Sequence, residues 1–199
     1  MQAWSKVERD ASSKLSLAEE HKAVLRGLAV RSIEHGFRFG EPIAVSAHEH
    51  PLSLQALKAV FVTLRTGEEL RGCVGTLEAS HPLVSAVTKY AYAAAFNDRR
   101  FDELTEAELP ELHVQISILS EPEPLRFYSE KELIERLRPG IDGLILQDGL
   151  AKGTLLPSVW EEIPDRYEFL ARLKQKAGLS PNHWSASLQV QRYTTVCFS

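Results

Sequence analysis

The sequence predicts an α+β fold, a largely antiparallel sheet with flanking helices, and three observations carry that prediction. Residues 112–118 alternate apolar with polar, the period of a strand with one covered face. Two hairpin signals, one turning at 65–69 and one at Asp148-Gly149, connect adjacent strands directly. Helical periodicities stand between these strands without a regular βαβ alternation, which disfavours a doubly wound parallel sheet.

The elements follow in order. Ser16 and Glu19 have the spacing of a capping box, and Leu17, Val24, Leu25, Leu28 and Ile33 repeat at helical spacing after it. A helix over 17–35 is expected, with Gly36 as its left-handed C-cap. The mixed stretch 40–50 reads as extended. Residues 59–64 and 70–75 are the arms of the first hairpin. Ser80 is placed to cap a second helix that carries Pro82 in its first turn and ends near Asn97.

The strand over 112–118 closes at Pro122 and Pro124. Ser129 and Glu132 then repeat the capping-box spacing ahead of a short helix that Pro139-Gly140 ends. Residues 144–146 and 155–156 form the second hairpin. Asp165 with Glu168 opens a last helix, stopped at Gly178, and Leu188, Val190, Thr194, Val196 and Phe198 mark a terminal strand.

Composition narrows the function classes. The 199 residues are 44% hydrophobic and 25% charged, as in ordinary globular chains, and form one folding unit with no linker dividing it. A formal net charge of −4 argues against a protein whose main work is gripping nucleic acid, which needs a basic field. No apolar run approaches the roughly 20 residues that span a bilayer, and the first ten residues do not read as a signal peptide. Two cysteines, Cys73 and Cys197, are too few for a secreted disulfide scaffold, so reduced thiols and a cytoplasmic location are expected. No glycine-rich phosphate loop and no G-x-S-x-G elbow is present, and no cofactor is expected.

Chemistry concentrates in two segments. In Leu70-Arg71-Gly72-Cys73-Val74-Gly75 a strand would put Arg71 and Cys73 on one face, where a guanidinium favours a thiolate. Cys73 then reads either as a tentative catalytic or ligand-contacting thiol, or as a small hydrophobe in a core strand. On that geometry Cys73 is expected to be the more reactive thiol. In Asn97-Asp98-Arg99-Arg100-Phe101, Asp98 could orient Arg100 toward a carboxylate or phosphate. The bland alternative is that the pair ties a helix end to its loop. Arg71, Asn97, Asp98 and Arg100 are thus tentative ligand-binding residues for a small anion. His48 and His50 could share a strand face toward a metal, but no third ligand is evident and no metal is expected. His113 is a distant option as a base for Cys73, and His183-Trp184 reads as a packing anchor.

The same segments carry a resemblance. The 70–75 motif, Ala94-Ala95-Phe96 with Asp98, Arg100 and Phe101, and Ile116-Ser117-Ile118-Leu119-Ser120 follow the order seen in the AMMECR-domain family. So do Gly140-Ile141-Asp142-Gly143-Leu144, Gly153-Thr154-Leu155-Leu156-Pro157, and Phe169-Leu170 with Lys176-Ala177-Gly178-Leu179. The resemblance puts the domain at 14–199 behind a polar tail at 1–13. It implies two unequal α+β lobes around a cleft, and partnership with a Memo-like protein and a radical-SAM protein. It assigns no reaction, so a ligand-binding or adaptor role and a cleft enzyme using Cys73 with Arg71, Asp98 and Arg100 both stand. Ser158 departs from the pattern, which has a longer amide there.

Overall fold

The computed structural model describes residues 17–199. Two four-stranded antiparallel sheets, each backed by helices, make up the α+β architecture. The first sheet has the order β2-β1-β3-β8, from β1 (Val60–Thr66), β2 (Glu69–Gly75), β3 (Leu112–Leu119) and β8 (Thr195–Phe198). Helices α1 (Glu19–Phe39) and α3 (Leu83–Phe96) cover one of its faces, and α2 (Leu52–Gln55) is a single turn between them in sequence. The second sheet has the order β4-β7-β5-β6, from β4 (Glu123–Pro124), β5 (Gly143–Asp148), β6 (Ala151–Leu155) and β7 (Gln189–Tyr193). Its helices are α4 (Glu130–Arg136), α5 (Val159–Glu162) and α6 (Arg166–Lys176).

Each sheet has its own apolar core. Leu25, Ile33, Val62, Leu64, Val87 and Ile116 are fully buried in the first, and Leu133, Leu144, Leu146, Phe169 and Leu173 in the second. Ala59, Leu119, Ile145 and Tyr193 form a smaller cluster where the sheets meet. The terminal strand serves both sheets: β7 pairs with β5, and β8 pairs with β3. At the crossing, the Ser120 N–H donates to the Thr194 carbonyl at 2.9 Å and the Thr194 N–H donates to Ser120 Oγ at 3.0 Å. A single terminal strand was expected; the break at Thr194 comes from this change of partner.

Other boundaries also move. Gly36 lies inside α1, and Gly40 (φ 70°) is the true C-cap. A Cβ on Gly36 would sit 2.4 Å from the Phe96 ring, so this glycine admits α3 rather than ending α1. Ser16 falls outside the described residues, and α1 starts at Glu19 with Ala18 as N-cap. Ser80 caps nothing: Pro82 is the N-cap of α3. The stretch read as extended at 40–50 holds a 3-10 turn, Ala47–Glu49. Ser129 and Asp165 cap α4 and α6 as their spacing suggested.

Candidate functional site

Pairing register decides which way Cys73 points. Cys73 stands opposite Thr63 on β1, which in turn stands opposite Gln115 on β3. Its neighbour Gly72 faces α3 so closely that a Cβ there would lie 2.0 Å from the Ala94 carbonyl oxygen. Alternation therefore puts Cys73 on the face turned away from the helices, with Arg71, Thr63 and Gln115. The core-strand reading of Cys73 is thereby corrected. The thiol is half-buried and accepts a hydrogen bond from Thr63 Oγ1 at 3.2 Å.

The loop after α3 meets this strand at its free edge. Asn97 is the exposed C-cap of α3, and its N–H donates to the Ala93 carbonyl at 2.8 Å. One residue on, Asp98 Oδ2 accepts the Cys73 N–H at 2.9 Å, and Arg100 Nη2 donates to the Cys73 carbonyl at 3.0 Å. Arg100 Nε reaches Asp98 Oδ1 at 2.9 Å and Nη2 reaches Oδ2 at 2.6 Å. Together the two side chains occupy the positions a neighbouring strand would fill, which blunts an edge otherwise open to pairing. The Arg100 guanidinium holds the Asp98 carboxyl down to about 2, against the opposing pull of burial, with the Cys73 N–H adding to the fall. Asp98 does orient Arg100, and the guanidinium, 58% exposed, also lies over the Phe101 ring.

Arg71 is committed elsewhere. Its Nε donates to Glu108 Oε1 at 2.5 Å and its Nη2 to Oε2 at 3.3 Å. Glu108 also accepts from the Thr105 N–H and hydroxyl, and its carboxyl falls to about 2, chiefly through Arg71. The cation that the sequence assigned to Cys73 is neutralised by a carboxylate 37 residues away in sequence. His113 is exposed and stands opposite Arg65, out of register with Cys73. His48 lies inside the 3-10 turn and His50 caps its end, so the two do not share a strand, and no group of three metal-ligating side chains exists among the described residues.

A pocket of about 480 Å³ opens beside these residues, between the end of β2 and the outer strand of the second sheet. Phe61, Gly75 and the segment Thr76-Leu77-Glu78 line one side; Lys152, Gly153, Thr154 and Lys176 line the other. None of Arg71, Cys73, Asn97, Asp98 and Arg100 is among these lining residues. Gly75 lies two residues from Cys73 on the same face, however, and Lys176 feels the charges of both Cys73 and Arg100. Burial pushes the Lys176 ammonium down; Cys73 works against that fall, and Arg100 and Arg172 add to it. Neither lining lysine makes an ion pair among the described residues.

Sequence reasoning missed Lys152, because a single lysine on a strand carries no motif, and it met Lys176 only as part of Lys176-Ala177-Gly178-Leu179, with no place in a site. It also missed a polar lock around Asp148, which accepts from Ser185 and Ser187 at 2.6 Å and meets His183 Nε2 at 2.5 Å. The glycines of the later motifs are packing devices. A Cβ on Gly143 would strike the Tyr193 ring at 2.4 Å, and one on Gly153 the Ala177 nitrogen at 2.7 Å. Asp142 is fully buried, and Arg138 Nε and Nη2 donate to its Oδ1 at 2.9 and 2.6 Å. Ser158 precedes α5 and makes no side-chain cap.

Comparison with known proteins agrees with this architecture. The AMMECR1 family model matches residues 27–198. A protein from Thermofilum pendens is 37% identical over 194 residues, covering 92% of this chain and 91% of its own. A protein from Methanocaldococcus jannaschii is 36% identical over 172 residues, with 84% and 85% covered. The crystal structure of an uncharacterised protein from Pyrococcus horikoshii superposes with a TM-score of 0.84 at 34% identity, covering 91% of this chain and 92% of that one.

Proposed function

Since the chain belongs to the AMMECR1 family, we propose that it is a ligand-binding or adaptor component that holds a small anion in the pocket between its lobes. It does so in company with a Memo-like protein and a radical-SAM protein. The observation that carries this reading is the charge of the pocket. Lys152 and Lys176 converge on it from different elements, against the single carboxylate of Glu78. Calorimetric titration with inorganic phosphate at low ionic strength tests it. Binding should weaken about tenfold or more when Lys152 and Lys176 are both changed to Met, the loss of charge-assisted hydrogen bonds. Equal binding by the double variant would end the reading. The partnership is tested separately, by whether the three proteins co-elute when mixed.

A second reading rests on Cys73, whose half-buried thiol sits on the open face beside that pocket. As a nucleophile its sulfur would attack an anionic substrate that bears an acyl group on a leaving group, forming a thioester as the bond to the leaving group breaks and the thiol proton passes to that group or to solvent. Intact-mass measurement after incubation with a binding anion decides: no mass increase, or one that persists in Cys73→Ser, removes this enzyme.

A further inference from the structure

We propose that an extended acidic segment of a partner protein pairs with the free edge of β6, as a fifth strand of the second sheet. The anion held in the pocket is then a carboxylate side chain of that segment, so the proposal rests on the anion-pocket reading above and deepens it.

Turn geometry fixes which backbone groups that edge offers. β5 and β6 are joined by the two residues Gly149-Leu150, with Asp148 opposite Ala151 and Gly149 at φ 60°. Such a hairpin closes on a hydrogen-bonded pair, and bonded and non-bonded pairs alternate from there. Ala151, Gly153 and Leu155 therefore bond to β5, whereas the N–H and C=O of Lys152 and Thr154 point outward. β6 is the last strand of its sheet, and no loop backbone bonds any of those four groups among the described residues. The pocket runs against the same three residues, Lys152-Gly153-Thr154.

The edges of β2 and β4 are treated differently. Asp98 and Arg100 take up the outward groups of Cys73 on β2. β4 is two residues long and ends on Pro124, which has no N–H to offer. β6 has no such cover, and the fully exposed Leu150 stands immediately before it. Lys152 alone deters an apolar strand; with Lys176 beside it and only Glu78 against them, it selects a strand that brings carboxylates. A second copy of this chain would bring its own Lys152 and Lys176 to the same edge, where like charges oppose pairing. Main-chain hydrogen bonds supply the hold and the lysines the choice of partner, the mode in which edge strands take extended peptides.

A fluorescein-labelled peptide of alternating Glu and Val tests this, by anisotropy and by amide hydrogen exchange read residue by residue. In the free protein the Lys152 and Thr154 amides should exchange faster than that of Gly153 between them. The peptide should slow both, while inorganic phosphate should compete with it yet leave both fast. N-methylation of alternate peptide nitrogens blocks one of the peptide's two edges. One methylation pattern should therefore weaken binding at least about tenfold, and the other should not. Lys152→Glu should weaken the Glu–Val peptide by a similar factor and admit its Lys–Val counterpart. Binding indifferent to both methylation patterns, or without protection of the two amides, overturns the strand pairing and leaves the anion pocket standing. Phosphate binding without peptide binding does the same. Protection of these amides in the protein alone, as monomer or dimer, shows the edge already taken and overturns the proposal. Failure of both ligands overturns both readings.

Discussion

Asp98 accepts the backbone N–H of Cys73 across the free edge of β2, at 2.9 Å, so a loop carboxylate satisfies a strand that has no neighbour there. Arg100 completes the arrangement through the Cys73 carbonyl. The Asp98–Arg100 pair singled out as a ligand fork thus acts first on the fold, and of the two only Arg100 remains substantially exposed.

Acid should expose this arrangement. Asp98 titrates near 2 when folded against an ordinary 3.8, so its stabilisation is complete above about pH 4 and lost as pH falls toward 2. The difference corresponds to about 2 kcal/mol, for a side chain only 7% exposed. Urea melts of wild type and Asp98→Asn at pH 7 and pH 2.5 should converge by about that amount. A gap independent of pH would assign the stability to something other than the carboxylate.

Two glycine substitutions should have opposite signs. Gly72→Ala drives a methyl into the Ala94 carbonyl and should cost about 3 kcal/mol or more, since backbone must move. Gly27→Ala lies on the exposed side of α1 with nothing within 4 Å, and should stabilise by about 0.5–1 kcal/mol. Thermal melts read both. A stabilising Gly72→Ala would contradict the packing of α3 on β2.

Breaking the buried pair of the second lobe should be severe. Asp142→Ala leaves the Arg138 guanidinium without its carboxylate and should cost about 3–5 kcal/mol. Arg138 is 45% exposed and can find water, which places the loss at the lower end. A shift in urea midpoint of only a few tenths molar would show the pair to be dispensable.

Thiol reactivity should follow exposure. The expectation that Cys73 labels faster rested on Arg71, and that guanidinium belongs to Glu108. Cys197 is exposed, while Cys73 is half-buried and held by Thr63. Brief alkylation at neutral pH should therefore mark Cys197 first, and Thr63→Val should speed Cys73. Exclusive labelling of Cys73 would restore the enzymatic reading to first place.

Strands and helices were legible because their causes are local. The alternation along β3, the Ser129 and Asp165 caps and the turns at Gly67 and Gly149 are written within a few residues of where they act. What failed depends on partners distant in the chain. Gly36 looks like a stop until Phe96 arrives beside it, and Arg71 looks free until Glu108 does. The terminal strand has one continuous pattern, yet it divides between two sheets because β3 and β5 end where they do. Of the candidate site, the segments were found and the lysines were not: a pocket is a relation between surfaces, which no short window of sequence contains.

The split terminal strand also orders events during synthesis. Everything in the second sheet and its helices lies between residues 123 and 193, a continuous stretch that is finished before the chain is. The first sheet begins earlier but lacks its fourth strand until Thr195–Phe198 emerge. The half that is translated first is therefore completed last, and its β3 edge stays open until Thr195–Phe198 pair with it. A chain in which β8 has not yet paired carries that unsealed edge, the form of this molecule most exposed to aggregation.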